Sequence, residues 1–165
     1  MIFLKRFFVL PLALLILCGC SQSAGVTPVL DNISFTANVK YDNDSYVCDA
    51  TVKDGALNLV VTEPREIKGF TLSVDKNGTQ AKLNDVEIAL DTATMPQGAV
   101  AQVLFDVVSD AKNKETTERT DGNYEISGSV SNNDYIFIIS PTGLPLNLKI
   151  ENINFEIEFQ NVTII

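Results

Sequence analysis

The sequence contains no histidine and no tryptophan. Without an imidazole it has neither the commonest general base nor a Ser-His-Asp triad, and it lacks a ligand that nearly every familiar catalytic zinc site uses. Glycine loops of the kind that cradle phosphates are missing as well. Positive charge is scarce, with 12 Lys and Arg against 21 Asp and Glu for a net charge of −9. Such a surface repels phosphate and offers nothing to anionic headgroups, which argues against nucleic acid as a partner and against electrostatic membrane binding. The carboxylates fall in turns or alternate with apolar residues, the distribution of solvated faces rather than of a paired acid and base. Asp42, Asn43, Asp44 and Asp49 have the composition of calcium ligands but lack the glycine and the distal glutamate of an EF-hand loop, so they read as a polar hairpin turn. Catalysis, a metal and a cofactor are therefore not expected. A long apolar run is absent too, since the best candidate, residues 7–17, is about half of the ~20 residues a membrane-spanning helix needs.

That short run is nevertheless informative, because Lys5 and Arg6 precede it, as in an export leader. It ends in Leu17-Cys18-Gly19-Cys20, which resembles the lipobox of bacterial lipoproteins. The resemblance implies that residues 1–19 are removed and that Cys20 carries a diacylglyceryl group. Each buried methylene contributes ~0.8 kcal/mol, and two chains anchor stably where one is marginal. The expected location is the extracytoplasmic face of the cell membrane, or the outer membrane in a host with two. Losing Lys5 and Arg6 but no acid takes the charge from −9 to −11. Only Cys48 then remains as a free thiol, and with no histidine to activate it, it reads as a small buried hydrophobe.

Residues 20–31 are expected to be the lipidated cysteine and a short linker containing Gly25 and Pro28, and residues 32–165 a single domain. From Asn32 the dominant period is two. Ile33, Phe35, Ala37, Val39 and Tyr41 alternate with polar residues, as do Tyr46, Cys48, Ala50 and Val52 across a turn at 42–45. Short turns at Asp54-Gly55 and Lys76-Asn77-Gly78 separate further strands over 56–62, 70–74, 79–83 and 86–90. The period then changes: Val100, Val103, Leu104, Val107, Val108 and Ala111 recur at three and four, with Pro96 in the first turn and Thr94 or Met95 at the cap. Gln102, Asp106 and Ser109 occupy the other face, and Phe105 stands at its rim. After a charged stretch over 112–121 come strands over 124–130, 135–139, 146–150 and 153–165, with turns at Asn132-Asn133-Asp134 and Pro141-Thr142-Gly143. Leu57, Leu59, Val60, Val61 and the run 136–139 are apolar on both faces, which predicts that both faces are covered. The fold expected is mainly β: about ten antiparallel strands in a curved sheet or half-open barrel, with one substantial amphipathic helix.

The order of strands, helix and strands resembles the lipoprotein-carrier superfamily of periplasmic carriers, outer-membrane receptors and mycobacterial lipid-binding lipoproteins. So do Glu63-Pro64-Arg65-Glu66-Ile67-Lys68-Gly69-Phe70 and Thr142-Gly143-Leu144-Pro145 followed by a terminal alternating strand. In that family an incomplete barrel, closed by helices, binds acyl chains in an apolar interior. Their early strands often supply tryptophan, which this chain lacks, so the resemblance implies apolar ligand binding rather than lipoprotein transfer. Arg65 stands nearest in position to the arginine of their lid-closing contact. The cavity candidates are Phe35, Leu57, Leu59, Phe70, Leu104, Phe137, Phe155 and Phe159. The partners expected are the membrane, through the anchor, and a lipid or lipoprotein ligand. The alternative is a structural or adhesive lipoprotein whose barrel is filled by its own side chains.

Replacing Cys20 with Ala is expected to leave an uncut precursor that takes up no metabolic palmitate. Persistent labelling of that variant would refute the lipobox assignment.

Overall fold

The computed structural model describes residues 25–83, 86–89 and 96–165, and for 88–89 and 96–99 the backbone alone. The expected leader, the expected lipidation site Cys20 and the expected helix cap at Thr94 or Met95 lie outside these residues. Eleven strands form one antiparallel sheet: β1 (Ile33–Tyr41), β2 (Asp44–Lys53), β3 (Ala56–Glu63), β4 (Thr71–Asp75), β5 (Gly78–Leu83), β6 (Val86–Ala89), β7 (Thr117–Glu118), β8 (Tyr124–Val130), β9 (Asn133–Ile139), β10 (Pro145–Ile150) and β11 (Phe155–Ile164). One helix, α1 (Pro96–Ala111), lies between β6 and β7 in the chain.

Turn chemistry sets the hairpins. Asp54 and Gly55 both have positive φ, 53° and 74°, as a two-residue type I′ turn requires, and they join β2 to β3. Ser131 and Asn132, at 50° and 63°, do the same between β8 and β9, one residue earlier than the Asn-Asn-Asp run predicts. The Asp75 carboxylate accepts the Asn77 backbone N–H at 2.7 Å, which closes the β4–β5 turn and lowers the pKa of Asp75. Asn154, with φ 49°, ends a 3-10 turn over Glu151–Ile153, so β11 starts at Phe155 rather than at Ile153.

The strand order is β6-β5-β4-β3-β2-β1-β11-β10-β9-β8-β7. Two meanders, β1 to β6 and β7 to β11, are therefore joined along β1 and β11, from Ile33 opposite Ile164 to Tyr41 opposite Phe155. Near Asn161 the register shifts, and this bulge returns Ile164 to the same face as its partner Ile33. The sheet does not close: β6 and β7 remain edges. It does curl, because α1 touches β8 near one edge and β3, β4 and β5 near the other.

Alternation puts one side chain in two on the concave face. Ile33, Phe35, Ala37 and Val39 of β1 are buried there, with Tyr46, Cys48, Ala50 and Val52 of β2 and Phe155, Ile157 and Phe159 of β11. The helix presses Val100, Leu104, Val107, Val108 and Ala111 onto them. Phe105, expected at the rim, is half-buried and packs against this core. Among the described residues no charged, amide, serine or threonine side chain is buried, and the polar groups of the core are the Tyr46 and Tyr135 hydroxyls and the Cys48 thiol. Each Leu or Phe so enclosed contributes roughly 1.5–3 kcal/mol, and the cover is what makes an open sheet of this size stable.

Three expectations need correction. Val60 and Ile136 are each 39% exposed on the convex face, so nothing among the described residues covers that face at these positions. Val60 pairs with Asp49 and Thr71, and Ile136 with Ser127 and Lys149, so the cross-strand neighbours of both are polar. The supposed linker is docked from Gly25 onward. Leu30 is buried, the Val29 N–H donates to the Gly143 carbonyl at 2.8 Å, and the Thr116 hydroxyl donates to the Val26 carbonyl at 3.2 Å. The charged stretch also supplies an eleventh strand, β7, held opposite Tyr124 and Glu125.

Leu59 and Val60 are neighbours on opposite faces, and they test this geometry. Leu59→Ala is expected to cost about 2–5 kcal/mol in denaturant unfolding, and Val60→Thr less than about 0.5 kcal/mol. Equal costs would mean that the convex face is covered.

Candidate functional site

The concave face and its helix form the one large apolar feature of the described residues, and all eight cavity candidates lie in it. Phe35 of β1 and Phe137 of β9 both pack on Phe159 of β11, at ring-centroid distances of 5.1 and 5.5 Å. They form the floor where the two meanders join. Phe155 meets the partly buried Tyr41 edge-on at 6.2 Å, at the far end of β1. Leu57 and Leu59 come from β3. Phe70 precedes β4, fixed by a hydrogen bond from the Val61 N–H to its carbonyl at 2.8 Å. Leu104 descends from the middle of α1 and is fully buried.

These residues pack as a core. The apolar void beside them, bounded by Tyr46, Cys48, Leu59, Val61, Leu72 and Val100, has a volume of about 10 Å³. That is about the space of a single water, and of the eight candidates only Leu59 borders it. Among the described residues this void is too small for an acyl chain, and displacement of α1 is the route by which this face would accept one. Arg65 is exposed in a short 3-10 turn over Arg65–Ile67, at the end of β3.

What holds α1 in place is partly polar, and the apolar periodicity gave no sign of it. The Tyr135 hydroxyl, on β9, donates to the Asp110 carboxylate at 2.8 Å. Lys114 approaches the other oxygen of that carboxylate at 3.6 Å. Burial, and then the hydrogen bond and charge of Asp110, push the Tyr135 phenol well above its ordinary pKa, so it stays a donor. Its ring crosses β8 at Gly128, its register partner; a Cβ there would lie 2.5 Å from the hydroxyl oxygen and 2.6 Å from ring carbons. The only sequence signal for this contact was a glycine inside a strand, which marks close approach of a neighbour. On the other side, the Thr79 hydroxyl of β5 donates to Gln102 Oε1 at 3.0 Å, and Gln102 Nε2 donates to Asp106 at 2.8 Å. The helix is thus tied to both arms of the sheet.

Cys48 is 4% exposed, on the same face as Tyr46 and Ala50, as its place in the alternation predicts. Burial first, and the charge of Asp49 second, push its thiol up to about 11, so it is not a nucleophile at neutral pH. Among the described residues no three acidic or cysteine side chains are placed to hold a metal ion. Comparison with protein-family models gives no match, and none of the curated proteins matches the chain.

A thiol whose pKa rises on folding binds its proton more tightly in the native state, so stability is lost as pH rises. With values near 9 unfolded and about 11 folded, the decline falls between those pH values, at no more than about 1.4 kcal/mol per pH unit. Cys48→Ala is expected to flatten that segment of the stability–pH curve. An unchanged slope would place the thiol in solvent.

Proposed function

We propose that this protein is a lipid-anchored protein of the bacterial cell envelope, held at the membrane through Cys20, which binds an acyl chain or a lipid-modified molecule on its concave sheet without catalysing a reaction. The observation that carries the reading is the lining: an open sheet whose inner face, among the described residues, buries no charged or amide side chain, carries only the Tyr46 and Tyr135 hydroxyls and the Cys48 thiol as polar groups, and is covered by a single helix. The strand–helix–strand order and the Thr142-Gly143-Leu144-Pro145 segment, similar to the lipoprotein-carrier superfamily, support the same reading.

Ligand binding here means exchange. An acyl chain of about fourteen methylenes gains roughly 11 kcal/mol gross at ~0.8 kcal/mol each. Association, chain ordering and displacement of α1 take back much of it, leaving a Kd of about micromolar order. Helix opening is part of that cost, so weakening a polar tie should tighten binding.

The test is native mass spectrometry of the soluble chain from Ser21, delipidated and then supplied with fatty acid or phospholipid. One-to-one uptake is expected, and Tyr135→Phe should tighten it by up to about tenfold, because one hydrogen bond to a charged group no longer holds α1 shut. The void of about 10 Å³ favours one competing reading, a structural or adhesive lipoprotein with a filled interior. No uptake by either protein, with melting temperatures unmoved at saturating lipid, would establish that reading instead.

A further inference from the structure

The strands run between two ends, and the two ends differ. At one end lie Asn32, the Asp54-Gly55 turn, the Ser140–Leu144 turn, and Ile164 and Ile165. At the other lie the Asp42-Asn43 and Ser131-Asn132 turns and Arg65. The N-terminal segment is fastened to the first end. Its Val29 N–H donates to the Gly143 carbonyl, and a side chain at Gly143, where φ is 84°, would strike the Thr27 carbonyl. Lys112 donates to Asp31 at 2.6 Å, and the Ile165 N–H donates to the Asn32 carbonyl at 2.7 Å.

Gly25 is therefore held at this end, and residues 21–24 alone separate it from Cys20. Five virtual bonds reach at most ~18 Å, whereas the nine residues of β1 extend ~30 Å. Ile164 and Ile165 are 66% and 57% exposed at the end where the tether leaves. Ile164 stands directly opposite Ile33, whose side chain is buried in the core, so it lies on the concave side at the rim. Of the cations at this end, Lys112 is engaged by Asp31 and Arg119 by Asp121 and Glu125, while Lys53 and Lys76 stand next to Asp54 and Asp75 in their turns, so the end carries no excess of positive charge to attract headgroups.

We propose that this end is a bilayer-docking surface: Ile164 and Ile165 enter the boundary between headgroups and acyl chains, and the rim of the concave face is turned to the lipid. The inference rests on the reading of Cys20 as the lipidated residue and deepens it. A short tether alone would allow the domain to lie on its side, and the two isoleucines select the end-on orientation. A lipid then reaches the concave face from the bilayer without crossing water.

The experiment uses the full-length, lipid-bearing protein in phosphatidylcholine vesicles containing a nitroxide-labelled lipid. A polarity-sensitive fluorophore is attached at Ile164→Cys, at Ile165→Cys, or at the far-end control Asn43→Cys. Buried Cys48 does not compete for the reagent. Quenching at 164 and 165 is expected to exceed that at 43 several-fold, with a blue-shifted emission that is unchanged by salt. Equal quenching at the two ends, or stronger quenching at 43, in protein that carries palmitate would overturn the orientation and leave the anchor standing. Protein without palmitate would overturn both.

Discussion

A sheet that alternates apolar and polar residues has one face that water must not reach, and a sheet that does not close cannot cover that face by itself. The eleven strands here stop at two edges, β6 and β7, so something other than barrel closure has to enclose the concave side. The curl brings β3 to β5 and β8 to opposite sides of one groove, and α1 fills it. Everything else in the molecule accommodates this arrangement. The small residues Ala101 and Ala111 let the helix settle against the strands, and the pairing of β1 with β11 makes a single floor from two meanders.

Apolar packing alone would leave the rotation and depth of such a helix loosely defined, because methyl groups do not select one angle. The two polar ties give direction. Tyr135 reaches Asp110 from β9, near the C-terminal end of the helix, and Thr79 reaches Gln102 from β5, near its middle, so the helix is held from both arms of the sheet. Both ties lie at the margin of the core and leave its lining apolar. They are also the contacts that break first if α1 moves, since each is worth about one hydrogen bond, against several buried aliphatic side chains.

Much of this architecture was legible in the sequence, because strand alternation, the switch to a period of three and four, and the Asp-Gly turn are local signals. The burial of Cys48 beside Tyr46 and Ala50 follows from period two alone. The rest was not legible, for physical reasons. The pairing of β1 with β11 joins residues more than a hundred positions apart, and no local pattern encodes it. β7 has only two residues, too few to show a period. Val60 and Ile136 belong to apolar runs that read as covered on both faces, but their cross-strand neighbours are polar, and that context lies in other strands. The docking of Val26 to Leu30 was hidden by small polar residues that resemble a linker. The eight candidate cavity residues were legible as one face, but the volume between them depends on how closely α1 sits.

Binding of an acyl chain as proposed requires α1 to be a displaceable cover over an apolar sheet rather than a permanent part of its core. Amide hydrogen exchange tests it directly, because sub-global opening of one element exchanges its amides faster than global unfolding does. The account predicts that α1 exchanges well before β1 and β11 in the lipid-free domain, and that added fatty acid changes protection in α1 while β1 and β11 stay as they were. Protection of α1 equal to that of β1 and β11, and indifferent to lipid, would contradict it.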